Sequence, residues 1–204
     1  LTVTGAATLT GNVTVTAGTG NVSFSSTING AKALSVNAAG LTSFLGSVGN
    51  TTRLSSLATN AGGITLLGGA VVQTNGPINI QDAVLLVGST VISSNGAAIT
   101  LNGTIDGNKS GFQTLGLTAG SGNITVGGAV GGTTALGAIT VNSANVTSFA
   151  SGVKAVSLTQ SAGGSTSLLG AVSTTDVAGV NITANAVSVA SNITTTGGGV
   201  VALN

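Results

Sequence analysis

The most constraining feature of this chain is a short element that keeps returning. It is an apolar residue, a spacer, a small residue, another spacer, then usually Val or Ile. It reads Leu9-Thr-Gly-Asn-Val13, Phe24-Ser-Ser-Thr-Ile28, Phe44-Leu-Gly-Ser-Val48, Leu66-Leu-Gly-Gly-Ala70 and Leu86-Val-Gly-Ser-Thr90. It continues as Leu101-Asn-Gly-Thr-Ile105, Val126-Gly-Gly-Ala-Val130, Phe149-Ala-Ser-Gly-Val153, Leu168-Leu-Gly-Ala-Val172 and Val189-Ala-Ser-Asn-Ile193. Nine intervals cover the 180 residues from Leu9 to Val189, a mean spacing of 20. A longer match, Gly46-Ser-Val-Gly-Asn-Thr-Thr-Arg-Leu54 over Gly128-Ala-Val-Gly-Gly-Thr-Thr-Ala-Leu136, has an offset of 82, close to four units. A looser third copy, Gly170-Ala-Val-Ser-Thr-Thr-Asp-Val177, needs one deletion. A unit this short cannot bury its own apolar face, so neighbouring units must stack.

The local chemistry is that of strands and turns. Short alternating runs such as Asn12-Val-Thr-Val-Thr16, Ile139-Thr-Val141 and Val187-Ser-Val189 are separated by Gly, Asn and Ser, and no helical stripe persists. The expected fold is all-β: a parallel β-solenoid of about 20 residues per coil and roughly ten coils, spanning residues 1–204 as a single array. Val, Leu and Ile from successive coils form inward ladders, and small Thr and Ser stack outward in rows. A charge repeated on every coil would sit above its like, and only seven side chains here are charged. The fixed unit argues against an antiparallel sandwich. The stretch 106–114 departs from the rhythm and reads as a protruding loop; Thr74-Asn-Gly-Pro-Ile78 reads as a bend.

Composition removes whole classes of function. With no His and no Cys, the chain cannot build the usual zinc, haem or iron–sulfur sites, nor a Ser–His–Asp or Cys–His pair. Four cationic side chains are too few for a run of phosphates, so no nucleic-acid partner is expected. No apolar run approaches a membrane-spanning length, no signal peptide is evident, and aromatic girdles for a membrane barrel are missing. A mean hydropathy of +0.60 with 42% hydrophobic residues argues against disorder. The chain opens at Leu1 without a Met, as expected of a processed product or a segment of a longer chain.

The motif Gly122-Asn-Ile-Thr-Val-Gly-Gly-Ala-Val-Gly-Gly-Thr-Thr-Ala-Leu136, its looser copies, and Asn60-Ala-Gly-Gly-Ile-Thr-Leu-Leu-Gly-Gly-Ala70 resemble the repeat regions of large bacterial surface exoproteins. These are the filamentous-haemagglutinin-like and autotransporter-adhesin-like proteins. The resemblance covers essentially the whole chain. It implies a right-handed β-helical shaft, exported from a Gram-negative-type cell, serving adhesion or matrix structure. The family's secretion domain and membrane barrel have no counterpart in these residues.

Each candidate site has a plainer explanation beside it. Asp82 and Asp106 are 24 residues apart, about one coil, so they could be neighbours and form the carboxylate pair of a polysaccharide-cleaving β-helix enzyme. Both also read as turn residues, and neither a basic cluster nor an aromatic platform accompanies them. Three scattered Asp do not recur as calcium turns require. Thr2-Val-Thr4, Thr8-Leu-Thr10 and Thr14-Val-Thr16 suggest an ice- or glycan-binding face, but exposed strand positions favour Thr anyway. Asn-x-Ser/Thr triplets at Asn12, Asn21, Asn50, Asn102, Asn123, Asn145, Asn181 and Asn192 read as turn ends followed by strand starts. No catalytic, cofactor-binding or metal-ligating residue is therefore assigned. The expected role is a non-enzymatic structural shaft, extracellular or on a bacterial cell surface. Its expected partner is another coil, from continuation of the chain or from a second copy stacked end to end, with a surface glycan as a further possibility.

Overall fold

The computed structural model describes all 204 residues. It contains strands and no helix, and every strand pair is parallel, with about 21 residues between stacked equivalents. The result is a β-solenoid of about 10 turns. At about 4.8 Å per coil its length is roughly 50 Å.

Each coil has three sides. The first is a continuous sheet of nine strands, from Val13–Gly18 through Ala33–Ala38 and onward to Ser165–Leu168 and Ala186–Val189. The second begins as Thr2–Val3, Val22–Phe24, Leu41–Phe44, Ile64–Leu67, Ala83–Leu86 and Ile105–Gly107. It continues by single bridges from Ile105 to Val130 and from Val130 to Val153. The third side carries Val71–Thr74, Thr90–Ser94 and Leu115–Thr118. In later coils the second and third sides fuse: Leu136–Ser143 and Val153–Gln160 are single strands of 8 residues.

Stacking in register produces the core. Leu34, Leu57, Ile78, Ile99 and Ile124 lie on one another on the first side, all at most 1% exposed. Phe24 stacks on Phe44 with ring centroids 5.6 Å apart and planes 6° apart. One buried cluster of 38 residues runs through the molecule. Half of the 122 backbone hydrogen bonds lie outside the strands, and many of them join one coil's corner to the next. Ser55 N donates to Lys32 O at 3.0 Å, for example, and Val87 N to Leu67 O at 3.0 Å. Cohesion along the axis therefore does not depend on the strands alone.

The structure corrects three sequence expectations. First, the recurring element is not one ladder. Phe24, Phe44 and Leu86 close the second side, with Leu67 rather than Leu66 lying beneath Phe44. Leu101, Val126, Phe149, Leu168 and Val189 close the first side instead. The element is a corner: an inward apolar side chain, a small residue at the bend, and an inward residue opening the next side. Leu9 lies between Ala7–Thr8 and Val13–Gly18 and closes the third side, so three kinds of corner make the same demand, which is why they share a sequence. Stepping between corner types shortened two intervals and drew the mean below the true repeat.

Second, Thr is not confined to outward rows. Thr42, Thr59, Thr65, Thr74, Thr147, Thr166 and Thr174 are buried, most of them on ladder positions otherwise taken by Val, Leu or Ile. The cause is strand parity. In Ile64–Leu67 the corner residue Leu67 faces inward, so Thr65 is buried and Ile64 is 47% exposed. In Ile124–Val126 the corner residue Val126 faces inward two places after Ile124, so Thr125 is outward. Third, the irregular stretch begins later than residue 106. Asp106 and Gly107 lie in the strand Ile105–Gly107, and the irregular turn follows it, still tied to its neighbours by Asn108 N to Leu86 O and Gly111 N to Ala135 O. There Lys109 Nζ sits 3.7 Å over the ring of Phe112, which is 60% exposed. The bend at Pro77 is as expected.

Candidate functional site

The acidic residues were the chemical candidates, and the structure sends them in opposite directions. Asp82 lies at the corner between Ile78–Ile80 and Ala83–Leu86 and is 1% exposed. Its Oδ1 accepts from Gly63 N at 2.9 Å and its Oδ2 from Thr65 Oγ1 at 2.9 Å. Both partners belong to the preceding coil. Asp106 is stacked on Leu85, not on Asp82. Its Oδ1 accepts from Thr133 N at 2.8 Å and Thr134 N at 2.9 Å, in the following coil. The two carboxylates bind different coils and do not converge, so the pair needed for acid–base work on a glycosidic bond is not formed. Nor does any group of three His, Cys, Asp or Glu come together.

Asp106 belongs to a structure that occurs twice. Asn29 Oδ1 accepts from Thr51 N at 2.9 Å and Thr52 N at 3.1 Å. Gly49 N donates to Ile28 O and Gly131 N to Ile105 O, each at 2.7 Å. Gly30 N donates to Thr52 O and Gly107 N to Thr134 O, each at 3.2 Å. The loops 46–54 and 128–136 thus share a conformation, and each rests on an Ile-Asx-Gly cradle in the coil before. The nine-residue match at an offset of 82 marks the two loops in the sequence. The cradles were hidden because Asn29 and Asp106 are 77 residues apart and differ in type.

Other Asx side chains also tie coil to coil. Asn12 Oδ1 accepts from Ala33 N at 3.0 Å, Asn21 Oδ1 from Leu41 N at 2.8 Å, and Asn60 Oδ1 from Ala38 N at 2.7 Å. Asn145 Nδ2 donates to Asn123 Oδ1 at 3.2 Å. Several of the Asn-x-Ser/Thr triplets are therefore axial ties at strand starts. Arg53 acts similarly, its guanidinium donating to Thr74 O at 3.1 Å and Ser93 O at 3.3 Å in the next two coils.

The candidate Thr face does not assemble. Thr2–Val3, Ala7–Thr8 and Val13–Gly18 occupy three different sides of the first coil. One outward row does run the length of the first side: Thr14, Ser35, Ala58, Asn79, Thr100, Thr125, Ser148, Ser167 and Ser188. It is polar and small, but Thr holds three of its nine places, too few for an aligned Thr array. The second side carries an apolar patch that alternation did not reveal, with Leu45 45% and Ile64 47% exposed and Leu66 stacked on Leu85.

The two ends of the solenoid complete the inventory. In the first coil Val3, Ala7, Leu9, Val13 and Val15 are only partly buried. In the last coil Val189 is 40%, Val201 48% and Leu203 41% exposed. All are terminal members of ladders that are fully buried elsewhere, and the strands Val13–Gly18 and Ala186–Val189 each have one unpaired edge. No helix of the structure is long and apolar enough to cross a membrane. No family model matches the chain, and comparison with curated proteins and with solved structures gives no match either.

Proposed function

We propose that this chain is a stretch of rigid, non-enzymatic shaft in an extracellular or bacterial cell-surface fibre, assembling by laying coil on coil. The observation that carries the reading is the contrast between the ladders and their ends. Inward ladders run unbroken along the coils, and at each end they stop half-exposed beside an unpaired strand edge. An open parallel edge with apolar side chains is a template for another strand. A further coil would supply the missing hydrogen bonds and bury the exposed Val and Leu, whether it comes from the same chain or from a second copy. Function in such a module is mechanical: each coil holds its neighbours, and stability accumulates through nearest-neighbour terms.

The near absence of charge supports this reading in a second way. With four cationic and three acidic side chains, little repulsion opposes end-to-end contact, and the association should respond weakly to salt. The test is sedimentation velocity of the purified chain over a wide concentration range, beside Val189→Lys. The expected result is concentration-dependent growth that Val189→Lys suppresses, since the lysine places a charge on the open end. A wild-type chain that stays monomeric at high concentration would overturn the proposal.

A further inference from the structure

We infer that Asn95–Gly96 is a self-modifying site, at which the folded chain converts its own asparagine to aspartate or isoaspartate. The reaction needs no enzyme. The Gly96 amide nitrogen attacks Asn95 Cγ; the N–Cγ bond forms and the Cγ–Nδ2 bond breaks. Ammonia leaves, taking the proton from the glycine amide, and a succinimide remains. Water then opens one of the two ring carbonyl–nitrogen bonds, leaving an aspartyl or an isoaspartyl residue. Glycine in second place favours attack because no side chain obstructs it and its backbone turns freely.

Four Asn-Gly pairs occur here, at Asn29, Asn75, Asn95 and Asn102, and the fold restrains three of them. At Asn29 the attacking nitrogen is engaged, since Gly30 N donates to Thr52 O, and the side-chain oxygen is held by two N–H groups. At Asn102 the leaving amide is engaged, Nδ2 donating to Gln81 Oε1 at 2.5 Å. There Gly103 is also wedged so tightly that a Cβ would fall on the backbone of Asp82. At Asn75 the restraint is on the glycine: Gly76 is half-buried where a Cβ would fall on Ser55 O, and its carbonyl accepts from Thr74 Oγ1 at 2.6 Å.

Asn95 differs from Asn29 and Asn102 in having both its amide and the following N–H free, and from Asn75, where these groups are free as well, in the exposure of its glycine: Gly76 is half-buried and Gly96 is exposed. Asn95 and Gly96 are both exposed, Gly96 N donates to no backbone carbonyl, and no side-chain bond holds the Asn95 amide. Gly96 has φ +82°, and a Cβ there would meet only Ser121 Oγ, at 3.1 Å. The peptide between them can therefore swing toward Cγ while the coil beneath stays intact. Conversion would place a new carboxylate beside Asn75, one residue beyond the stacked pair Thr74 and Ser94. The isoaspartyl product would also lengthen that corner by one methylene.

The experiment compares two rates at each pair. The folded chain is held at mildly alkaline pH, and peptide mass spectrometry follows the amide-to-acid mass change at all four positions. Short synthetic peptides of the same four sequences give the unrestrained rates. In the folded chain Asn95 should convert near its peptide rate, and the other three at least roughly tenfold below theirs. If Asn95 is slowed as much as Asn29 and Asn102, or if any of the other three keeps pace with it, the inference is wrong.

Discussion

Asn29 and Asp106 hold the same position in two copies of one local structure, although they lie on different sides of the solenoid. Each presents Oδ1 to two consecutive threonine N–H groups of the following coil, Thr51 and Thr52 in one case and Thr133 and Thr134 in the other. A neutral amide suffices at the first copy, so the charge at the second is not needed for the contact. Asp106→Asn should therefore unfold at the wild-type denaturant midpoint. Asp106→Ala strips two N–H groups of their acceptor and should cost about 2 kcal/mol. Equal losses for both variants would show that the charge itself is required.

The same equivalence governs two glycines. Gly49 has φ +72° and Gly131 φ +66°, and a Cβ would fall on Gln73 O at the first and Lys154 O at the second. Gly49→Ala and Gly131→Ala should each destabilise by more than about 1 kcal/mol and by similar amounts. Chemical denaturation of the two variants checks this. A harmless substitution at either position would contradict the shared loop conformation.

One buried residue offers a gain. Thr147 is fully buried, its Oγ1 has no hydrogen-bond partner, and it stacks between Ile124 and Thr166. Thr147→Val keeps the branched shape and removes the unsatisfied hydroxyl, so it should stabilise the chain by about 1–2 kcal/mol. Thermal melting reads the change, and a lower midpoint would count against the ladder as described.

The opposite change belongs on the second side. Val130 is 1% exposed and bridges Ile105 to Val153. Val130→Asp places an unpaired charge in that ladder and should cost about 3 kcal/mol or more. In a linear array the damage should be local, with hydrogen exchange rising first in the coils around residue 130. A uniform rise along the whole chain would contradict nearest-neighbour stability.

The fold was legible because its signal repeats: a corner with an inward apolar residue returns about once per coil, and its ten copies outweigh the ambiguity of any single one. What sequence reading missed traces to two physical facts. A corner needs the same residues wherever it falls, so Phe44 and Phe149 look alike in sequence while closing different sides. Facing is set by distance from the corner and not by residue type, so Ile64-Thr65 and Ile124-Thr125 point in opposite senses. The partnership of Asp82 with Gly63 and Thr65 was out of reach for a third reason. It depends on which residue of the preceding coil lies beneath, and coil lengths vary; Ile99 sits 25 residues before Ile124 but Thr147 only 19 before Thr166.

The shaft reading is tested most directly by electron microscopy of the purified chain, with averaging along the long axis. Coil-on-coil assembly requires filaments with an axial spacing of about 4.8 Å that runs unbroken across the junctions between copies. Discrete particles roughly 50 Å long, with no growth from their ends at any concentration, would contradict it.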